Sequence, residues 1–407
     1  MERWKSNLYF LWIAQILSLM SFGFGIPFIP YFIQELGVTD PVSVKFYLGI
    51  LNSVPGLAMG IMAPVWGYLA DRLGRKMILL RATFFGILVL AGMGLSQNVN
   101  HLIIARLMQG IFTGTVTASY ALVAAGTPDN KLSYALGVIA SSNFIGSSIG
   151  PFVGGLMAEQ FGYRISFFAG SSLLVLSFLI ILIAVKEENK TKWSDFKEQS
   201  KDKKENSPVI HRLRNAITPL FFVILVILFF VKLGGNASAP YISIFVQEIR
   251  GTITGSSAIT GTINGAVGLS TALAGLTIGR LGDRISKRKI LYVLLAGTIF
   301  VSLPLYFISR IVYFTLVYCF LFYLIGSAEP ILMSLMSENT PKEKRGMAFG
   351  IYSLIANLGW AASPVIGSAV TIAFGTKTVF LCIPAAFFIA LLISLMFLKE
   401  QREKIPS

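Results

Sequence analysis

The chain has 407 residues, 55% of them hydrophobic and 13% charged, with 32 Phe and 38 Gly, and its mean hydropathy is +0.72. That composition excludes a water-soluble globular domain and marks a membrane protein. The formal charge of +15 does not argue for nucleic acid, because Lys and Arg fall in short clusters between apolar runs, the distribution that orients helices across a bilayer.

In chain order, twelve apolar stretches are each close to the roughly 20 residues that cross a bilayer core of about 30 Å. Their approximate limits are 8–35, 47–70, 77–96, 101–125, 133–158, 165–185, 217–246, 256–281, 290–309, 314–338, 346–372 and 378–398. Arg3 and Lys5 precede the first, which carries no small-residue cleavage site and reads as an uncleaved span. The long polar break at 186–216 divides the stretches six and six. It contains KEENKTKWSDFKEQSKDKKEN and reads as a solvated linker between bundles at 1–185 and 217–407. With both termini and the linker on one side, that side receives 27 of the 34 Lys and Arg; Lys45, Arg164, Arg250, Arg310 and Lys377 fall on the other and two lie within spans. The positive-inside rule makes the rich side cytoplasmic.

The chain repeats itself. GYLADRLGRK, from Gly67 to Lys76, returns as GRLGDRISKRK, from Gly279 to Lys289, at an offset of 212 with one inserted residue. Ahead of the motif, Gly49, Ser53, Gly56, Gly60, Ala63 and Gly67 follow a 4/3 spacing that Gly261, Gly265, Gly268, Ala272, Gly275 and Gly279 copy. Such a stripe lies on one helix face and lets backbones approach closely. At an offset of 213, Pro27, Gln34 and Glu35 align with Pro240, Gln247 and Glu248, Gly146 with Gly359 and Pro151 with Pro364.

On these residues the chain resembles the major facilitator superfamily of secondary transporters over nearly its whole length. Gly67, Asp71, Arg72, Gly74, Arg75 and Lys76 match that family's signature between spans two and three; the second copy keeps Gly279, Asp283 and Arg284 but has Ser286 and Lys287 where the inner Gly stood. RLMQG, with Arg106, Gln109 and Gly110, matches a further motif, and GSSIGPFVGG, with Gly146, Gly150, Pro151, Gly154 and Gly155, matches the motif of the drug:proton antiporter branch. The first span departs from the usual drug-exporter pattern in having no acidic residue between Leu8 and Ile33. The resemblance implies an all-α membrane protein: twelve transmembrane helices as two pseudo-symmetric six-helix bundles around a central cavity lined by spans 1, 4, 7 and 10. The charged turn reads as a latch, with Asp71 near the start of a helix of the other half at Gly346, where an anion is stabilised by about 0.3–1 kcal/mol. Arg72, Arg75 and Lys76 read mainly as orientation and headgroup charges.

Ionisable residues inside the membrane are costly and face a wet cavity or a partner. Three qualify: Arg106 in span four, Lys232 in span seven and Glu329 in span ten, all on the cavity-lining helices. At 1.5 Å per residue, Lys232 and Glu329 fall within roughly 5 Å of mid-membrane and Arg106 about 10 Å toward the outside. This predicts a Lys232–Glu329 pair and leaves Gln109 as the polar neighbour of Arg106. His101, His211, Cys319 and Cys382 read as boundary and packing residues. No metal cluster, nucleotide loop or nucleophile with its base appears, so neither metal, cofactor nor enzyme activity is expected.

The function expected is a proton-coupled exporter of small apolar or amphipathic compounds, working as a monomer in the cell membrane, with substrate, protons and the lipid bilayer as its partners. A carrier of a polar metabolite on the same fold is the alternative, disfavoured by the few polar residues in spans 1, 4, 7 and 10. A non-transporting receptor would need no midplane charge.

Overall fold

In the computed structural model, residues 3–128, 131–187, 219–282, 285–340 and 345–398 are described, and among them every regular element is helical. The helices are α1 (Arg3–Gly23), α2 (Ile29–Glu35), α3 (Pro41–Leu73), α4 (Arg75–Gly94), α5 (Val99–Phe112), α6 (Thr115–Gly126), α7 (Leu132–Phe161), α8 (Tyr163–Ala184), α9 (Pro219–Ala237), α10 (Ile242–Arg250), α11 (Ser256–Gly282), α12 (Lys287–Ser302), α13 (Ile311–Glu338), α14 (Arg345–Phe374) and α15 (Cys382–Phe397). Eleven helical stretches among the described residues are long and apolar enough to cross a membrane. The expected eighth span is present as α11. The linker 188–216 and the residues Asp283 and Arg284 lie outside the described residues.

Ends and breaks follow from local chemistry. Asp40 caps α3 by accepting from the Ser43 amide at 2.8 Å, with Pro41 as the first helical residue, where its missing N–H costs nothing. Asn98 caps α5 through the His101 amide. Gly162, at φ +84°, both ends α7 and starts α8, a one-residue reversal that a side chain would strain. Spans one and seven are interrupted alike, by 3-10 turns at Ile26–Phe28 and Ala239–Tyr241 that contain the repeat-related Pro27 and Pro240. Span four is broken at Gly114, whose φ of +130° ends α5 and lets α6 begin. Its counterpart in span ten, Ser327, takes no such angle, and α13 runs through unbroken.

The chain separates into two compact units, Met1–Glu205 with Pro240–Leu269, and Asn206–Ala239 with Ser270–Ser407. In the first, α1 packs on α7 and α8, α4 on α8 and α5, and α3 on α5. In the second, α9 packs on α14 and α15, and α12 on α13 and α15. Helices of corresponding rank thus pair in the same way, the packing counterpart of the sequence repeat.

Candidate transport site

Lys232 on α9 and Glu329 on α13 meet in the second unit. The ammonium lies 2.6 Å from the Glu329 Oε2, with the side chains 24% and 43% exposed, so the pair is formed but not sealed. The helix beneath it is held close: a Cβ on Gly359 of α14 would lie 3.0 Å from the Lys232 Cβ and 2.8 Å from the Phe229 carbonyl. Tyr352, also on α14, donates to the Glu329 carbonyl at 3.4 Å, and Asn236 donates to the Lys232 carbonyl at 2.8 Å. Pro330 next to Glu329 brings no amide hydrogen to α13.

Arg106 sits in the first unit and is 2% exposed. Its Nη1 donates to Gln109 at 2.6 Å, Nη2 to Asn52 at 3.3 Å, and Nε to the Leu51 carbonyl at 2.7 Å. The last bond has a cause in the sequence. Residue 55 of α3 is proline, so the Leu51 carbonyl has no donor four residues on. Arg106 supplies the missing hydrogen. Gly110 completes the device, since any Cβ there would meet the Pro55 carbonyl at 2.5 Å and Ala58 at 2.6 Å. In RLMQG, therefore, all three motif residues fit the proline break of α3, and the charge is met by neutral acceptors. Trp66 plays the same part at the break of span four: its indole donates at 2.6 Å to the Ile111 carbonyl, which the turn at Gly114 deprives of a helical partner.

Besides Arg106 and Lys232, a third cation lies within a membrane helix. Arg81 stacks on Trp66, its guanidinium carbon 3.3 Å from the ring centroid, with Nε and Nη1 buried and, among the described residues, without acceptors. It lies only six residues into α4, close in sequence to the Arg72, Arg75 and Lys76 cluster.

At the charged turn a second carboxylate, not singled out in the sequence, meets a helix start. Gly74, at φ +92°, separates α3 from α4, and the free amides of Arg75 and Lys76 at the start of α4 donate to Glu187 at 2.8 and 3.2 Å. The carboxylate that holds this helix N-terminus comes from the end of span six in the same unit. A Cβ on Gly74 would stand 2.8 Å from that carboxylate, so the inner glycine of the motif makes room for Glu187 as well as for the turn. Arg72 lies over Tyr68. The side chain of Asp71 is outside the described residues.

The antiporter motif uses two faces of α7. Gly146, Gly150 and Gly154 lie against α1, where added Cβ atoms would come within 2.4–2.8 Å of Leu19, Met20 and Phe24. Gly155 faces α11, with its would-be Cβ 2.7 Å from the Ser257 carbonyl and 3.0 Å from Gly261. Gly261, Gly265 and Gly268 of the eighth-span stripe all meet α7 in this way, from Pro151 to Ser148. Gly60 and Gly67, in the equivalent stripe of α3, have nothing within 4 Å among the described residues.

Where α2 and α10 meet in the first unit, the amides of Gln34 and Gln247 donate to each other, both at 2.9 Å. Tyr31, 1% exposed, donates to the Ser243 carbonyl at 2.8 Å and pairs with the Thr260 hydroxyl at 2.9 Å; Ser243 in turn donates to the Pro27 carbonyl. The equal offset of Gln34 and Gln247 was the one sign of this clasp in the sequence.

The sequence profile of the Major Facilitator Superfamily matches residues 11–328 and 224–407. The chain belongs to the Major Facilitator Superfamily. Among curated relatives, a multi-drug resistance efflux pump PmrA homolog of Lactococcus lactis is 33% identical over 368 residues, covering 90% of this chain and 88% of the relative. Multidrug resistance protein MdtG of Escherichia coli is 31% identical over 387 residues, covering 93% and 91%. Among solved structures, a bacterial homolog of the human lysosomal transporter Spinster, inward-facing and occupied, superposes with a TM-score of 0.78 at 14% identity over 97% of both chains. The nucleoside transporter NupG gives 0.73 at 14%, over 97% of this chain and all of that one. At such identities these two structures speak for the fold alone. This superfamily member is a multi-pass membrane transporter with multidrug-efflux relatives.

Proposed function

We propose that this transporter exports small apolar or amphipathic compounds in exchange for protons. The carrying observation is the Lys232–Glu329 pair: a carboxylate deep in span ten, bonded to an ammonium on a different helix yet still 43% exposed. Such a carboxylate can take a proton where the pair is apart and release it where the pair forms, which is the behaviour coupling needs. The PmrA homolog and MdtG, whose names speak of drug efflux, favour apolar cargo. Alternating access would open the Gln34–Gln247 clasp on one limb of the cycle and close the bare Gly60–Gly67 stripe on the other, with Asp71 acting at the charged turn on the cytoplasmic side. Both termini would face the cytoplasm, and the working unit would be a monomer.

A polar-metabolite carrier is the second reading, favoured by one observation. In the first unit Gln15 of span one and Ser119 of span four pair at 2.7 Å, in two helices expected from the sequence to be poor in polar groups, and Tyr120 of span four pairs with Asn143 of span five at 3.2 Å. Transport in inside-out vesicles decides between them, using amphipathic cations, neutral drugs and sugars with and without a pH gradient. For coupling, Glu329→Gln should bind substrate and insert normally but build no substrate gradient from an imposed pH gradient. A full gradient in that variant would leave Glu329 as a structural ion-pair partner.

A further inference from the structure

Three helices of the first unit, α1, α6 and α7, share a layer of uncharged polar side chains at one depth. Trp12 of α1 donates to Ser141 of α7 at 2.8 Å, Ser119 of α6 donates to Gln15 of α1 at 2.7 Å, and Asn143 of α7 donates to Tyr120 of α6 at 3.2 Å. The depth is fixed by the helix contacts on either side. A Cβ on Gly146 of α7 would lie 2.6 Å from the Leu19 Cβ and 2.9 Å from the Ile16 carbonyl of α1. Asn143 thus stands between Ser141, which meets Trp12, and Gly146, which meets Ile16. Gln15 lies at the same level, and Ser119 and Tyr120 are neighbours on the third helix.

Each of the two amides uses one end and keeps the other. Gln15 accepts through Oε1, while its Nε2 is buried and, among the described residues, without an acceptor; Asn143 donates through Nδ2, while its Oδ1 is buried and likewise without a donor. One orphaned donor and one orphaned acceptor at the same level of adjacent helices call for an explanation, since buried polar groups are otherwise paired and hydrocarbon offers no water in their place. Gln15 and Ser119 are 1% and 2% exposed, whereas Tyr120 and Asn143 keep part of their surface open, so the layer is closed behind Gln15 and approached from α6 and α7. A packing role accounts for the three bonds that are made. It gives no reason for the two that are missing.

Resting on the export of amphipathic compounds proposed above, we propose that Gln15 and Asn143 recognise the polar end of a neutral cargo that carries an N–H or O–H beside a carbonyl, as a secondary amide does. The cargo N–H donates to the Asn143 Oδ1 and its carbonyl accepts from the Gln15 Nε2, each side chain turning toward the Tyr120 side to meet it. Both groups are uncharged, so the match discriminates by hydrogen bonding. A compound without the donor leaves Asn143 unpaired and is disfavoured. Glu329 belongs to the other unit, and proton coupling enters nowhere in this recognition.

The test is isothermal titration calorimetry of the full-length chain in lipid nanodiscs, with empty nanodiscs subtracted, against N-phenylhexanamide, its N-methyl derivative and hexyl phenyl ether. The wild type should bind N-phenylhexanamide roughly tenfold tighter than the N-methyl amide, a comparison that needs no variant. Asn143→Leu should bring the two amides level, and Gln15→Leu should lower both amides toward the ether. Equal binding of the two amides by the wild type, no binding of either, or a preference kept in Asn143→Leu would overturn the assignment and leave a resident water as the partner of both orphans. If inside-out vesicles accumulate amphipathic compounds under a pH gradient, that failure belongs to the recognition alone; if they accumulate none, the export reading fails first.

Discussion

Arg106 shows how far a single side chain can be read without its surroundings. Depth and residue type placed it in the membrane beside Gln109, and the 2.6 Å bond between them is there. Its third acceptor, the Leu51 carbonyl, was not foreseen, although the cause stands in the sequence as Pro55. Arg106→Met should cost on the order of 2–4 kcal/mol, since one or two buried acceptors lose their donor at about 1–3 kcal/mol each. In a Pro55→Ala background Leu51 regains a helical donor, so the same substitution should cost measurably less. A double-mutant cycle on thermal unfolding in detergent checks this; additive effects would mean that the proline break and the arginine are unrelated.

At the scale of helices, the small-residue stripes are alike in sequence and unlike in use. The α11 stripe is packed against α7 at Gly261, Gly265 and Gly268, and the α3 stripe meets nothing among the described residues at Gly60 and Gly67. Gly261→Leu should therefore impair folding, because its Cβ would already stand 2.4 Å from the Pro151 carbonyl. Gly60→Leu should leave unfolding temperature and yield near wild type but slow transport strongly, if the open stripe closes during the cycle. Normal transport by Gly60→Leu would show that the stripe never closes. Sequence spacing revealed both stripes because a 4/3 interval places residues on one helix face whatever the neighbour. Which one is occupied depends on a second helix, and no spacing within the first encodes it.

For the molecule as a whole, two measurements bear on topology and motion. Protease should cut the 186–216 linker only from the cytoplasmic side, and cleavage in intact cells would reverse the orientation inferred from the charge distribution. Across the Gln34–Gln247 clasp, a disulfide between Gln34→Cys and Gln247→Cys should stop transport, and reductant should restore it. Unchanged transport by the cross-linked protein would mean that the clasp stays closed throughout.

The sequence by itself determined the membrane class, the spans, the internal repeat, the charged turn and the Lys232–Glu329 pair. Each of these rests on one-dimensional quantities: apolar run length set by bilayer thickness, charge between runs, fixed offsets, and depth counted at a constant rise per residue. The tertiary structure decided where orphaned backbone groups find partners. Glu187 reaches the amides of Arg75 and Lys76 across more than a hundred residues, Trp66 reaches Ile111, and Arg106 reaches Leu51. A helix terminus, a glycine turn or a proline announces in the sequence that a hydrogen bond is missing. The group that supplies it is chosen by which helices pack side by side, because in the hydrocarbon no water can stand in.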